Sequence, residues 1–164
     1  MVIPAPINSA LRAAAMMLFV VVIAACSRSA NDNVGLTGVG NTGAGAPGSQ
    51  QEFIVTVGDR VFFTTDSSSL TTEAMATLDK QAQWLNQYGN YRIMIEGHAD
   101  ERGTREYNIA LGARRASVVV NYLVSRGVNA QRITSQSFGK ERPVAICNDI
   151  SCWSQNRRAV TVVQ

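Results

Sequence analysis

Only one histidine, His98, and three cysteines occur in 164 residues, so any metal centre would have to be built almost wholly from carboxylates. His98 with Asp100 and Glu101 is too compact a set, and too short of softer ligands, to make a zinc-type site; no metal and no cofactor are expected. Charge of one sign is scarce too. Fifteen basic and twelve acidic residues give a formal charge of +3. Without Arg12, Arg28 and Asp32 of the N-terminal regions, 13 basic residues face 11 acidic ones. A nucleic-acid binder carries a one-sided basic stripe, so this near balance argues against that class despite a pI near 9.0. Long apolar runs are also missing. Residues 13–25 (AAAMMLFVVVIAA) would rise only about 20 Å as a helix against a hydrocarbon core of roughly 30 Å. Preceded by Arg12, that run reads as a secretory signal and not as a permanent span. No internal repeat is visible, and the length leaves room for one modest core and no second domain.

The apolar run ends in Ile23, Ala24, Ala25 and Cys26, which resembles the bacterial lipobox, whose cysteine thiol receives diacylglycerol. A conventional small-residue cleavage site beside a chance cysteine, or an uncleaved anchor, are the alternatives. Ser27 follows where many inner-membrane lipoproteins carry Asp, so sorting to the outer membrane is expected. Residues 27–51 (SRSANDNVGLTGVGNTGAGAPGSQQ) hold Gly, Ser, Asn and Ala without apolar periodicity and cannot offset the entropy of ordering. They read as a tether with a typical span of roughly 25 to 30 Å. The expected division is therefore a signal in 1–25, lipidated Cys26 with a flexible linker in 26–52, and a folded domain in 53–164.

Within that domain, residues 53–63 (FIVTVGDRVFF) are β-branched and aromatic, with Gly58 and Asp59 as a turn or bulge, and predict an interrupted strand or hairpin. Thr71 offers an N-cap with Glu73 in the first turn, and Ala74, Leu78, Ala82 and Leu85 recur at helical spacing. Residues 91–97 alternate as a strand. Residues 104–126 predict a second helix whose core stripe is Ala116, Val120 and Leu123, with Val119 and Val124 beside it, closed by Gly127. Residues 133–138 and 157–163 predict two further strands, Arg158 sharing a side with Val160 and Val162. Strands alternating with two helices imply an α/β layer, an α+β sandwich with two main helices on one face of a mixed sheet of about four strands.

On the second helix Thr104, Asn108, Leu111 and Arg115 are spaced by four, three and four, and share one stripe apart from the core face. The stretch EGHADERGTREYNIALGARRASVVVNYLVSRG, together with GDRVFFTTDSSSL, SFGKERP and SQNRRAV, closely resembles the OmpA-like peptidoglycan-binding domain over about residues 53–164. The lipobox and tether make it similar to the lipid-anchored members of that family, which belong to the Tol-Pal system. The resemblance implies a non-catalytic binder of the peptidoglycan stem peptide, recognised through meso-diaminopimelate, that ties the outer membrane to the wall from the periplasmic side and supports envelope integrity and cell division. It also implies TolB and other Tol-Pal components as partners, TolB competing for the same groove.

The free end of diaminopimelate is a zwitterion, and by the family pattern Asp100 takes its ammonium and Arg115 its carboxylate. A planar guanidinium can meet a carboxylate with two parallel hydrogen bonds, which lysine cannot. Taken alone, Asp100 could instead stabilise the N-terminal end of the helix, and Arg115 could belong to a solvated face. Asp66 matches a position that shapes the peptide site, although Thr64 stands where an aromatic is more usual; an Asx-type turn is its other reading. Arg158 resembles a position near the groove and could equally be a structural ion-pair partner. His98 is expected to be a hydrogen-bonded loop anchor. Cys147 and Cys152, in CNDISC, are expected to pair in an oxidising compartment. The competing class is a secreted cell-wall hydrolase, but Ser67, Ser68 and Ser69 have no assigned base and no second histidine exists.

Overall fold

The computed structural model describes residues 45–164. The signal region, Cys26 and the tether up to residue 44 lie outside the described residues. The chain enters through a helical segment, α1 (Gln50–Glu52), which widens into a further helical turn over Phe53–Gly58. Ser49 caps it by accepting from the Glu52 N–H, and the Glu52 carboxylate accepts from Gly48 N–H and from Trp84 Nε1. The structured domain therefore begins before the expected boundary at residue 53. The expected strand over 53–58 is corrected as well. Phe53 is fully buried against Trp84, ring centroids 4.9 Å apart, while Ile54 and Val55 are 47% and 51% exposed. One anchored aromatic and helical hydrogen bonding outweigh the β propensity of the run.

The remaining elements are β1 (Arg60–Phe62), α2 (Thr72–Gln87), β2 (Ile93–His98), α3 (Arg105–Ser125), a tight turn over Ala130–Arg132, β3 (Ile133–Gly139), α4 (Ile150–Asn156) and β4 (Arg158–Val163). The four strands form one sheet in the order β1-β4-β2-β3. β4 runs antiparallel to both neighbours and β2 parallel to β3, which is the mixed sheet expected. Thr71 caps α2, its hydroxyl oxygen accepting from the Ala74 N–H, and Thr104 caps α3 by accepting from Tyr107 N–H. The expected stripe Ala74, Leu78, Ala82 and Leu85 is buried, and with Ala116, Val119 and Leu123 of α3 it meets Val61, Ile93, Ile95 and Ala159 of the sheet. Val120 packs at the edge of that core and Val124 lies largely outside it, at 39% exposure.

Helix α4 has no counterpart in the expected elements. Asp149 caps it by accepting from Ser151 N–H, and a disulfide between Cys147 and Cys152, with Cα atoms 5.7 Å apart, ties its first turn to the preceding loop. Asn156 closes the same loop by accepting from the N–H groups of Val144 and Ala145 and donating to Ala145 O.

Candidate functional site

Strand β2 leads directly into the loop carrying Asp100, and α3 then returns across the sheet carrying Arg115. How near those two come depends on how closely helix and strand approach. Gly97 and Gly112 face each other there: a Cβ on Gly97 would lie 1.9 Å from Gly112 O, and one on Gly112 would lie 2.4 Å from Ser137 Oγ and 2.8 Å from Gly97 O. Backbone meets backbone at this crossing, which only glycine permits. Ser137 Oγ adds a hydrogen bond to Ile109 O at 2.7 Å. The crossing brings the start of α3 over the end of β2, and an open cavity of about 250 Å³ lies between α3 and the loops carrying Asp66 and Asp100.

Arg115 is 0% exposed and lines this cavity. Its Nε donates to Ser67 O at 2.9 Å, Nη1 to His98 O at 2.8 Å and Nη2 to Thr64 O at 3.2 Å, and the guanidinium lies 5.1 Å from the Phe63 ring centroid. Three of its five N–H donors are thus committed to carbonyls, leaving one on each terminal nitrogen without a partner among the described residues. Burial pushes its pKa down to about 10, partly countered by the Asp100 charge. It stays a cation at neutral pH.

Asp100 lines the same cavity and is also buried. Burial would raise its carboxyl. Hydrogen bonds from the Arg102 side chain and N–H, with a further one from Arg157, outweigh that and hold it below the usual carboxylate range. Arg102 meets it in a two-pronged pair, Nη2 to Oδ2 at 2.7 Å and Nε to Oδ1 at 3.1 Å, while Arg157 Nη1 reaches Oδ2 at 3.3 Å.

Asp66 and Tyr107 form another wall, the tyrosine hydroxyl donating to the Asp66 carboxylate; that bond raises the Tyr107 pKa, with burial and the Asp66 charge adding to it. Asp66 has a left-handed backbone, φ 55°, but the hydrogen bond its carboxylate makes is with Tyr107 and not with a backbone N–H of its own turn, so the Asx-type reading is not met. Asn108 and Leu111 line the cavity as well, and Asn108 Nδ2 donates to Arg102 O and Thr104 O, stitching the loop to α3. The structure thus gathers Asp66, Asp100, Asn108, Leu111 and Arg115 around one cavity. Thr104 is not among its lining residues; its hydroxyl is taken up in capping α3. Arg158 is not there either. It is buried on the other side of the sheet, donating to Asn156 O and Arg142 O, and its neighbour Arg157 is the residue that reaches Asp100. Adjacent side chains at a strand point to opposite faces. Arg102, Tyr107 and Arg157 were missed by the sequence reading. The acidic partners that reveal their roles lie two, forty-one and fifty-seven residues away in the chain.

The expected side-chain anchoring by His98 is corrected. The ring is 1% exposed, neither of its nitrogens has a hydrogen-bond partner, and it stacks on Phe138 with centroids 5.6 Å apart. The anchor is its main-chain carbonyl, which receives Arg115. Burial, with the charges of Arg158 and Arg142, pushes the imidazole pKa down to about 4. A hydrolase is therefore poorly served among the described residues: this histidine is neutral but sealed, and Cys147 and Cys152 are bonded to each other.

Residues 62–157 match the model of the OmpA family. The chain is 68% identical over 133 residues to the peptidoglycan-associated lipoprotein of Rhizobium meliloti, covering 81% of this chain and 74% of that one. It is 60% identical over 142 residues to the peptidoglycan-associated lipoprotein of Mesorhizobium japonicum, covering 86% and 84%. This chain therefore belongs to the OmpA family, among its peptidoglycan-associated lipoproteins. The crystal structure of the peptidoglycan-associated lipoprotein from Burkholderia pseudomallei superposes with a TM-score of 0.63 at 43% identity, over 65% of this chain and 90% of that one. The C-terminal domain of Helicobacter pylori MotB shares the fold, with a TM-score of 0.61 at 21% identity over 65% and 84%. The OmpA family is not an enzyme family, and the hydrolase alternative is not favoured by that assignment.

Proposed function

We propose that the cavity holds the zwitterionic end of meso-diaminopimelate in the peptidoglycan stem peptide, Asp100 taking the ammonium and Arg115 the carboxylate. The observation that carries this reading is that a buried carboxylate and a buried guanidinium line one cavity of about 250 Å³. The two uncommitted N–H groups of Arg115, one on each terminal nitrogen, suit the two oxygens of a carboxylate. Asp66, with its hydroxyl partner Tyr107, and the apolar side of Leu111 supply the walls along which the methylene chain of the ligand lies. Acylated Cys26 anchors the chain in the outer membrane, the domain faces the periplasm, and the protein ties membrane to wall as part of the Tol-Pal system, with TolB competing for the cavity.

The test is co-sedimentation of the full chain with purified sacculi. Asp100→Asn and Arg115→Met are expected to lose binding by at least about tenfold, one charge-assisted contact each, and free meso-diaminopimelate to displace the wild-type protein. Retained binding in Asp100→Asn, with its fold intact by circular dichroism, would remove this reading.

A further inference from the structure

The carboxylate assigned to the ligand's ammonium already has an occupant. Arg102 fits Asp100 with both prongs of its guanidinium, at 2.7 and 3.1 Å, and adds its own N–H at 3.2 Å. Asp100 is nearly closed off, its side chain 9% exposed, whereas that of Arg102 is 41% exposed and itself lines the cavity. Arg157 holds the same carboxylate from the buried side through a longer contact, 3.3 Å, and is anchored separately by donating to Phe63 O at 3.1 Å. One of the two cations on Asp100 is thus part of the core, and the other stands on the ligand side.

The stem of Arg102 is not free to wander. Its guanidinium lies 4.3 Å over the ring of Trp153, and Trp153 Nε1 donates to Glu101 Oε1 at 3.0 Å. Trp153 belongs to α4, the short helix whose first turn is closed by the Cys147–Cys152 disulfide. The guanidinium therefore rests on the carboxylate and on an aromatic face at once, and the face would remain to it if the carboxylate were taken. Stacking tolerates rotation of a planar cation far better than a two-pronged ion pair does.

We propose that Arg102 is a specificity-determining gate, an internal cation that occupies the ammonium position until a zwitterionic ligand takes Asp100 from it and leaves it held by Trp153 alone. This inference rests on the reading of Asp100 as the ammonium acceptor. A lone ammonium offers one charge in exchange for a two-pronged guanidinium pair, and the exchange is unfavourable. A ligand that presents a carboxylate on the same carbon gains the two open donors of Arg115 at once, and the sum favours displacement. Discrimination against simple amines thus arises from a built-in competitor and not from a steric wall. Trp153 is a positioning residue that acts through Arg102.

Two tripeptides provide the probe, L-Ala-γ-D-Glu-meso-diaminopimelate and the same peptide ending in L-lysine, which differ by a single carboxylate beside the terminal amine. Affinity of the full chain for each is measured by calorimetry for wild type, Arg102→Met, Arg102→Lys and Trp153→Phe. With Arg102→Met the lysine peptide is expected to bind about tenfold more tightly and the diaminopimelate peptide less than about threefold more tightly, from loss of one charge-assisted pair, so the selectivity ratio falls. Arg102→Lys, which keeps the charge and loses the fork, lies between, and Trp153→Phe leaves the ratio near that of wild type because a stacking face remains. Weaker binding of both peptides to Arg102→Met, or an unchanged ratio, overturns the gate. Asp100→Asn in the same assay separates the two ideas: loss of binding there with no change in ratio for Arg102→Met removes the gate alone, whereas unchanged binding removes the underlying site.

Discussion

Arg115 and Asp100 line one cavity, yet they are held by opposite means. Arg115 stands in the middle of a 21-residue helix and is clasped by three main-chain carbonyls, two from the loop after β1 and one from the end of β2. Asp100 stands on a loop and is held by two arginine side chains, one of them half in solvent. The cation is part of the frame and the anion is attached to it. One charge of the cavity is fixed by the backbone and the other by side chains, so removing them should not cost the fold equally.

Forcing helix and strand apart has the largest expected effect. Gly97→Ala would drive a methyl group into Gly112 O and is expected to destabilise the domain by about 4 kcal/mol, lowering the melting temperature by roughly 15 °C in a thermal melt. A change of a few degrees would show that helix and strand can part without loss. The next largest effect sharpens the contrast itself. Arg115→Met takes the donor from three carbonyls, that of His98 buried and those of Ser67 and Thr64 partly so, and is expected to cost about 3 kcal/mol in urea unfolding, against about 1 kcal/mol for Asp100→Asn, which keeps an acceptor for its partners. Equal costs would mean that both charges belong to the frame.

The smallest effect concerns His98, whose carbonyl serves Arg115 and whose loop carries Asp100. In the unfolded chain its imidazole takes a proton near pH 6.5; in the fold it does so only near pH 4. Stability is therefore constant above the first value, falls as the pH drops toward the second, and is expected to be lower by about 2 kcal/mol at pH 5 than at pH 7.5. The depressed carboxyl of Asp100 adds a loss only further down, below the usual carboxylate range. Urea titrations from pH 7.5 to 4.5 should show that slope in wild type and not in His98→Leu; a slope that persists in the variant assigns it to other groups.

Much of this frame was legible in the sequence because local and global signals agreed. In α2 the cap Thr71, the acidic first turn and the stripe through Leu85 all pointed to one face, and the same face is buried. In α3 the four, three, four spacing placed Asn108, Leu111 and Arg115 together. Residues 53–58 misled because β-branched side chains carry no record of the single aromatic, Phe53, that pins the segment under Trp84. Helix α4 is too short for periodicity to register, and is held by a disulfide and by Asn156 more than by propensity. Arg157 and Arg158 differ by one position and by the face they serve, which a motif without geometry cannot tell apart. Arg102 was hidden in plain view: its charge reads as solvated surface until the carboxylate two residues earlier is seen to be enclosed.

One feature of the entry segment bears on how the domain carries load. Tyr91 donates its hydroxyl to Gly48 O at 2.7 Å, and Gln50 Nε2 donates to Val163 O, so the incoming chain is fastened where β2 begins and β4 ends. The cavity opens where β2 ends. A pull applied between Gly48 and an occupant of the cavity therefore runs along β2, setting its hydrogen bonds with β3 and β4 in shear, where the rungs resist together, and not in peel, where they would open one after another.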